Sequence, residues 1–386
     1  YDKSNGLADN AVYAFERGYN DDVFIGTGES GLNVLSLRTG KISRIIPEKE
    51  HMFNEVYDIK RDDENGCLWI GTYGCGLIKL YLEYRDGKYR ITGSKAYVNN
   101  KENPRSINSN IVFPLLQDGP DRLWVGTKGG GLDLLDIKND TFSHSTVSSA
   151  EGSISSNDVS SLFFSRDSVL WVGTSYGLNR LAGQDGGTRI FESFTDRDGL
   201  VNNSTHGIAE DASGNLWIST SGGLSVFNPV HGSFTNYSND DALQNNEYAD
   251  GASLRSGDTV YFGGVDGYNW FNPDGIHMRT YKPNIVFNGI RIMDRETENI
   301  RQGELLTLRH NENFFGIQFS AIEFIDNAKC EYAYILEGFS TSWVYTDSGI
   351  ASFTNVPPGK YTFKVRCTNG DKVWNSDTAS ISIRVR

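Results

Sequence analysis

The chain has 386 residues, with 36 Lys and Arg against 49 Asp and Glu, a net charge of −13. That balance speaks against nucleic acid and against general attraction to anionic membrane surfaces, and no apolar run approaches the roughly 18 residues of a membrane span. Aromatics at 12% and 42 glycines suit an all-β chain rich in turns, and the length calls for about two domains.

The chain opens at Tyr1, without Met and without a signal peptide, inside what reads as the tail of a preceding unit; it is expected to be a piece of a longer protein. From there to about residue 283 one pattern recurs six times. An Asn opens a β-branched or aromatic run, a polar turn follows, and then an aromatic leads a small-residue pair. The asparagines are Asn10, Asn54, Asn110, Asn157, Asn203 and Asn246, and the aromatics are Phe24, Trp69, Trp124, Trp171, Trp217 and Tyr261. Each aromatic lies 14 or 15 residues after its Asn, and successive aromatics are 45, 55, 47, 46 and 44 apart. A period in this range, with strand-like runs and no helical pattern, predicts propeller blades of four short strands.

Within a unit, Gly and Asn turns separate short strands as hairpins require. The second strand, such as Leu216-Trp217-Ile218-Ser219-Thr220, is apolar on both faces, so both faces must be covered, and neighbouring blades can do this. In the Trp-x-Gly-Thr form the Trp and the Gly two residues on share a face, so ring and missing side chain can interlock with the next blade. The repeated Asn is read as capping a turn by Asx-type bonding where the first strand begins, a structural rather than a ligand-binding role.

In chain order, residues 1 to 50 form the first unit. Its Gly26, Gly28 and Gly31 match a dinucleotide-binding pattern, but a strand follows where that fingerprint needs a helix N-terminus. Residues 51 to 103 hold the longest unit, its extra length in an outer strand and loop where binding groups can sit. Residues 104 to 195 hold the third and fourth. Gly173-Thr174-Ser175-Tyr176-Gly177 satisfies the nucleophile-elbow pattern, yet the same positions read GTYGCG and GTKGGG in other units, so Ser175 belongs to a hairpin tip. The fifth and sixth units run to about 283. From Pro283 the register stops, and seven alternating runs predict an immunoglobulin-like or fibronectin-like sandwich over 284 to 386, with Tyr332, Tyr334, Leu336, Tyr361, Phe363, Val365 and Trp343 facing its core.

Four cysteines form no metal spacing, and no cofactor is expected. The eight-residue separation of Cys67 and Cys75 does not by itself identify a disulfide. Cys330 and Cys367 fall at one end of two strands if these are antiparallel neighbours, as a buried thiol pair or a disulfide.

The repeats around Leu123-Trp124-Val125-Gly126-Thr127 resemble the two-component regulator propeller repeat. The tail, with Tyr332, Tyr334, Leu336 and Gly338, then Trp343, then Pro358-Gly359 and Tyr361, Phe363 and Val365, resembles the domain named for three tyrosines that follows such propellers. Together they cover nearly the whole chain. The resemblance implies the periplasmic sensor region of a hybrid two-component histidine kinase regulator, the second of two propellers plus the sandwich. Seven blades are usual in that family against six visible here. A membrane helix and a cytoplasmic kinase would follow outside this chain, the ligand would be an oligosaccharide from a polysaccharide being degraded, and the intact receptor would be a homodimer.

Two other readings stay open: a propeller-scaffold lyase or hydrolase, and a non-catalytic interaction scaffold. An enzyme would need carboxylates, a His and Arg cluster or metal ligands at one mouth; His51, His144, His206, His231, His277 and His310 are scattered in the sequence, and the fragment is expected to lack catalysis. Ligand-binding candidates lie where units depart from their consensus: Tyr73, Lys128, Tyr176 and Tyr268 at hairpin tips, His206 on an inner strand and Arg180 after the fourth hairpin. Aromatic faces and Lys or Arg would suit a sugar ligand. The sandwich is expected to transmit rather than receive the signal, through a junction near Tyr281-Lys282-Pro283.

Overall fold

The computed structural model describes residues 1–28, 31–47, 55–276, 281–293, 295–298, 300–324, 329–371 and 373–386. Asn54, His51 and His277 lie outside the described residues. Two compact units emerge, Tyr1–Gly275 and Ile276–Arg386.

The first unit is six antiparallel sheets laid out in chain order, five of four strands and the sixth of three described strands. These are propeller blades. The third, for example, runs Val112–Gln117, Arg122–Thr127, Leu132–Asp136 and Thr141–Ser145 from the inside outward. Five apolar clusters lie one between each consecutive pair of blades, as the two-faced second strands require. Trp69 is buried against Val112 and Leu115 of the third blade, and Trp124 against Val159 of the fourth. Trp171 and Trp217 repeat the arrangement toward the fifth and sixth. Each indole N–H donates to the turn ending its own inner strand: to Asp62 at 3.0 Å, Asp118 at 3.1 Å, Ser165 at 3.2 Å and Asp211 at 3.1 Å. The paired Gly is as constrained as the ring. A Cβ on Gly126 would lie 2.7 Å from Val159 of the next blade. The Thr after it closes the hairpin, with Thr72, Thr127, Thr174 and Thr220 hydroxyls each donating to the glycine carbonyl across the turn.

The repeated Asn is structural, but its bond is not the local turn that its residue type suggests. In four blades its side-chain carbonyl accepts a backbone N–H from the loop leaving the preceding outer strand, Asn110 from Asn99, Asn157 from Val147, Asn203 from Asp196 and Asn246 from Asn239, and Asn10 accepts likewise from Lys3. The Asx or Ser turn is made by the residue before it. Asp9, Ser109, Ser156 and Asn202 accept from the N–H two positions on.

In the second unit, a four-stranded sheet orders Arg295–Glu298, Ile285–Ile292, Phe315–Ala321 and Ile350–Phe353. A five-stranded sheet orders Leu305–Leu308, Ala379–Val385, Gly359–Cys367, Tyr332–Glu337 and Val344–Thr346. Phe287, Phe315, Phe319, Tyr332, Leu336, Phe363 and Val365 share one core, with Tyr334 partly buried against it. Trp343 departs from expectation. It lies outside that core, its ring under the Arg366 guanidinium at 4.8 Å, with Trp374 on the same cation at 5.1 Å. A large cation on the strand's outer face draws the ring there. The strands of Cys330 and Cys367 are antiparallel neighbours, and both residues are buried thiols rather than a disulfide. Burial pushes the Cys367 thiol up to about 12.

Candidate functional site

A bulge in each inner strand makes the site. Opposite the second strand's small residue, the register of the inner strand slips between Val12 and Ala14, Val56 and Asp58, Val159 and Ser161, and Thr205 and Gly207. The third blade slips in the same place, across Phe113 and Pro114. The unpaired residues are Tyr13, Tyr57, Phe113, Ser160 and His206, each three positions after its Asn. In the sixth blade a longer slip between Tyr248 and Ser253 contains Asp250. A bulge frees a side chain from the ladder's alternation and re-aims it. Six inner strands standing side by side in order therefore present six re-aimed side chains at one end of the propeller.

The hairpin tips reach the same end. Tyr73, Lys128, Ser175 and Ser221 each follow the hairpin Thr, and each donates its backbone N–H to the residue after the repeated Asn or its equivalent: Glu55, Ile111, Asp158 and Ser204. One half of this mouth is aromatic. Tyr13 stacks on Tyr57 with centroids 4.5 Å apart, Tyr57 on Phe113 at 4.4 Å, and Tyr73 tilts against Tyr57 at 5.8 Å. Burial, with Tyr13 and Glu55 adding to it, raises the Tyr57 hydroxyl above the usual phenol range. Next to it, Asp58 accepts from the N–H groups of Ile59 and of Leu115 in the third blade, and burial pushes its carboxyl up to about 6.

The other half is polar. His206 Nδ1 lies 2.6 Å from Asp250 Oδ1, and its Nε2 lies 2.9 Å from the Ser221 hydroxyl. Lys128 joins the halves: its ammonium sits over the Phe113 ring at 4.7 Å and 3.7 Å from Asp250 Oδ2. A third-blade cation thus meets a sixth-blade carboxylate.

Of the residues singled out in the sequence, Tyr73, Lys128 and His206 come together here. Tyr176 and Tyr268 are exposed beside the tips of the fourth and sixth blades. Arg180 is placed within its blade, ion-paired to Glu192 on the outer strand and 6.0 Å from the Trp171 ring. Tyr13, Tyr57, Phe113, Ser221 and Asp250 were missed. The available signal was the third position after each Asn, which holds large rings in the first three units.

Comparison with known proteins adds several similarities. Residues 52–74 and 199–222 match the two component regulator propeller family, and residues 323–386 match the Y_Y_Y domain. A curated relative, histidine kinase P4 of Formosa agariphila, is 29% identical over 90% of this chain. Among solved structures, the extracellular domain of a protein assigned as a hybrid two component system from B. thetaiotaomicron is similar at 25% identity, with a TM-score of 0.67 over 99% of the chain. The chain spans 26% of the length of the curated relative and 56% of the solved chain.

Proposed function

Starting from a chain that carries two component regulator propeller repeats followed by a Y_Y_Y domain, we propose that it is the ligand-binding, extracytoplasmic part of a hybrid two-component receptor. Its ligand is an oligosaccharide held at the propeller mouth. The observation that carries the reading is the amphipathic mouth: the Tyr13, Tyr57 and Phe113 rings face the same opening as His206, Asp250 and Lys128. A sugar ring has an apolar C–H face and a polar rim, so one half takes the face and the other the hydroxyls. In the intact receptor, two copies relay the ligand's differential affinity for two arrangements across the inner membrane, and the output governs polysaccharide utilisation.

A second reading has a specific observation behind it. Ser221, His206 and Asp250 are spaced as a nucleophile, base and orienting carboxylate would be. Against it, the tip has no oxyanion donor to offer. The Ser221, Gly222 and Gly223 N–H groups are already given to Ser204 O, Thr220 Oγ1 and Asn246 O. Oxyanion stabilisation is usually the largest catalytic contribution, so binding is the stronger reading. Calorimetry against a panel of defined neutral and acidic oligosaccharides tests it. One of them should bind, and Tyr57→Ala or Phe113→Ala should weaken it at least tenfold. Turnover of the bound sugar that Ser221→Ala abolishes would instead establish the enzyme.

A further inference from the structure

Charge is not shared evenly between the two units. Residues 1–275 carry 23 Lys and Arg against 37 Asp and Glu, whereas residues 276–386 carry 13 against 12. Within the second unit, cations gather on one surface. Tyr361, Phe363, Val365, Ile381, Ile383 and Val385 of the five-stranded sheet point into the core, so the alternate residues of the same strands form its outer face. Lys360, Lys364, Arg366 and Arg384 are among them. The five strands contain a single carboxylate, Glu337, and it is paired with Lys364 at 2.6 Å.

Lys360 and Arg384 stand directly opposite each other on neighbouring strands. Both are exposed, and among the described residues neither side chain meets a counter-charge. Like charges directly opposite each other weaken a sheet, so the pair does not serve the fold; an anion set between the two would relieve it. Six residues further along Gly359–Cys367, about 20 Å at the rise of an extended strand, the same face changes character. The Arg366 guanidinium lies over both the Trp343 and the Trp374 ring, at 4.8 and 5.1 Å, and donates to the Tyr345 hydroxyl at 3.2 Å. Tyr345 meets Trp374 edge-on and is 63% exposed. One strand thus leads from bare cations to a cluster of rings.

These two ends select the occupant. The cations call for an anion, and the rings call for a body with an apolar face. A nucleic acid or another extended polyanion would be opposed by the acidic first unit of the same chain. A bilayer takes up side chains that stand out from a surface, whereas Trp343 and Trp374 are half-buried under Arg366. An acidic sugar chain offers C–H faces to rings and charged oxygens to Lys and Arg, and it is narrow enough to follow one strand. We propose that the outer face of this sheet binds an acidic oligosaccharide, one bearing uronate or sulfate groups, laid along Gly359–Cys367. Lys360 and Arg384 share one of its anionic groups, and Trp343 and Tyr345 take a sugar face at the other end. The site is additional to the propeller mouth and does not depend on what the mouth holds.

Calorimetry of the 386-residue chain with tetragalacturonate and with a heparin-derived tetrasaccharide tests this. Maltotetraose is the neutral counterpart, and vesicles of phosphatidylglycerol and phosphatidylcholine form a lipid arm. At least one acidic tetrasaccharide should bind, more weakly at about 0.5 M than at about 0.05 M salt. Lys360→Glu combined with Arg384→Glu should weaken it by about tenfold or more, and the milder pair Lys360→Gln and Arg384→Gln by about threefold or more. Because the two cations repel, the Gln pair should keep or raise the Tm of the free chain, which separates loss of binding from loss of fold. A lowered Tm would make the pair structural and overturn the proposal. So would failure of both acidic sugars to bind, binding that the Gln pair leaves unchanged, or an equal effect of that pair on maltotetraose. Capture of the chain by the vesicles with both acidic sugars ignored would hand the face to lipid instead.

Discussion

Trp217 fills the seam between the fifth and sixth blades and ties its N–H to Asp211. Trp217→Ala should therefore cost about 3–5 kcal/mol in urea unfolding of the first unit, whereas Trp343→Ala, which removes a ring from a surface cation, should cost less than half of that. His144 offers a pH test. Its Nδ1 lies 2.6 Å from Asp133 and its Nε2 3.0 Å from the Pro104 carbonyl, two acceptors that only an imidazolium satisfies together. The hydrogen bond to Asp133 raises its pKa above 6.5. A raised folded-state value means stability that is complete below the unfolded value and is lost as pH climbs through the folded one. The penalty of His144→Ala should accordingly be larger at pH 5.5 than at pH 9 in thermal unfolding. The side chains that pack were readable from the sequence because type and spacing coincide. The partner of the repeated Asn was not, because its bond reaches back 7 to 11 residues into the preceding blade's exit loop, beyond any rule for local turns.

Hairpins were the most readable elements, since positive φ selects its residues. Gly223 shows how tightly: its φ is +121°, and a Cβ there would lie 2.1 Å from the Tyr237 carbonyl oxygen on the outer strand. Gly223→Ala should destabilise the fifth blade by more than about 1 kcal/mol, visible as a lowered urea midpoint with the m-value unchanged. Two strands escaped the reading, Arg295–Glu298 and Val344–Thr346, because four and three residues are too few to show alternation. The bulges escaped as well. A bulge is a disagreement between two strands' registers, and one strand's sequence does not reveal it, yet it sets the mouth. His206 was singled out as an odd residue on an inner strand; that Asp250 and Ser221 would meet it depended on two slips in two blades.

The order of propeller then sandwich was readable from the change of period, and the contacts divide the chain between Gly275 and Ile276. Tyr281, Lys282 and Pro283 bond within the second unit: the Tyr281 and Pro283 carbonyls accept from Asn369 and Asn375 side chains, and Lys282 donates to Ser376. An interruption meant to uncouple the units therefore belongs after Gly275. Under the function proposed above, a flexible Gly-Ser insertion there in the longer protein should preserve oligosaccharide binding and reduce ligand-dependent kinase output; unchanged output would count against that proposal. With separate cores, the 386-residue chain should show two calorimetric transitions, and Phe363→Ala should lower only one of them. What no reading of the sequence could supply is circularity. Lys128 and Asp250 are 122 positions apart and meet because six blades bend around one axis.

The backward reach of the repeated Asn also bears on how the chain is made. Each unit ties its entrance to the exit of the unit already synthesised, and each apolar seam joins immediate neighbours in sequence. A nascent or exported chain thus finds the partner for every new blade folded and waiting, so assembly can advance from the N-terminus one blade at a time with short loops to close at each step. Reversing the order of two blades would leave every residue type in place and still break that succession.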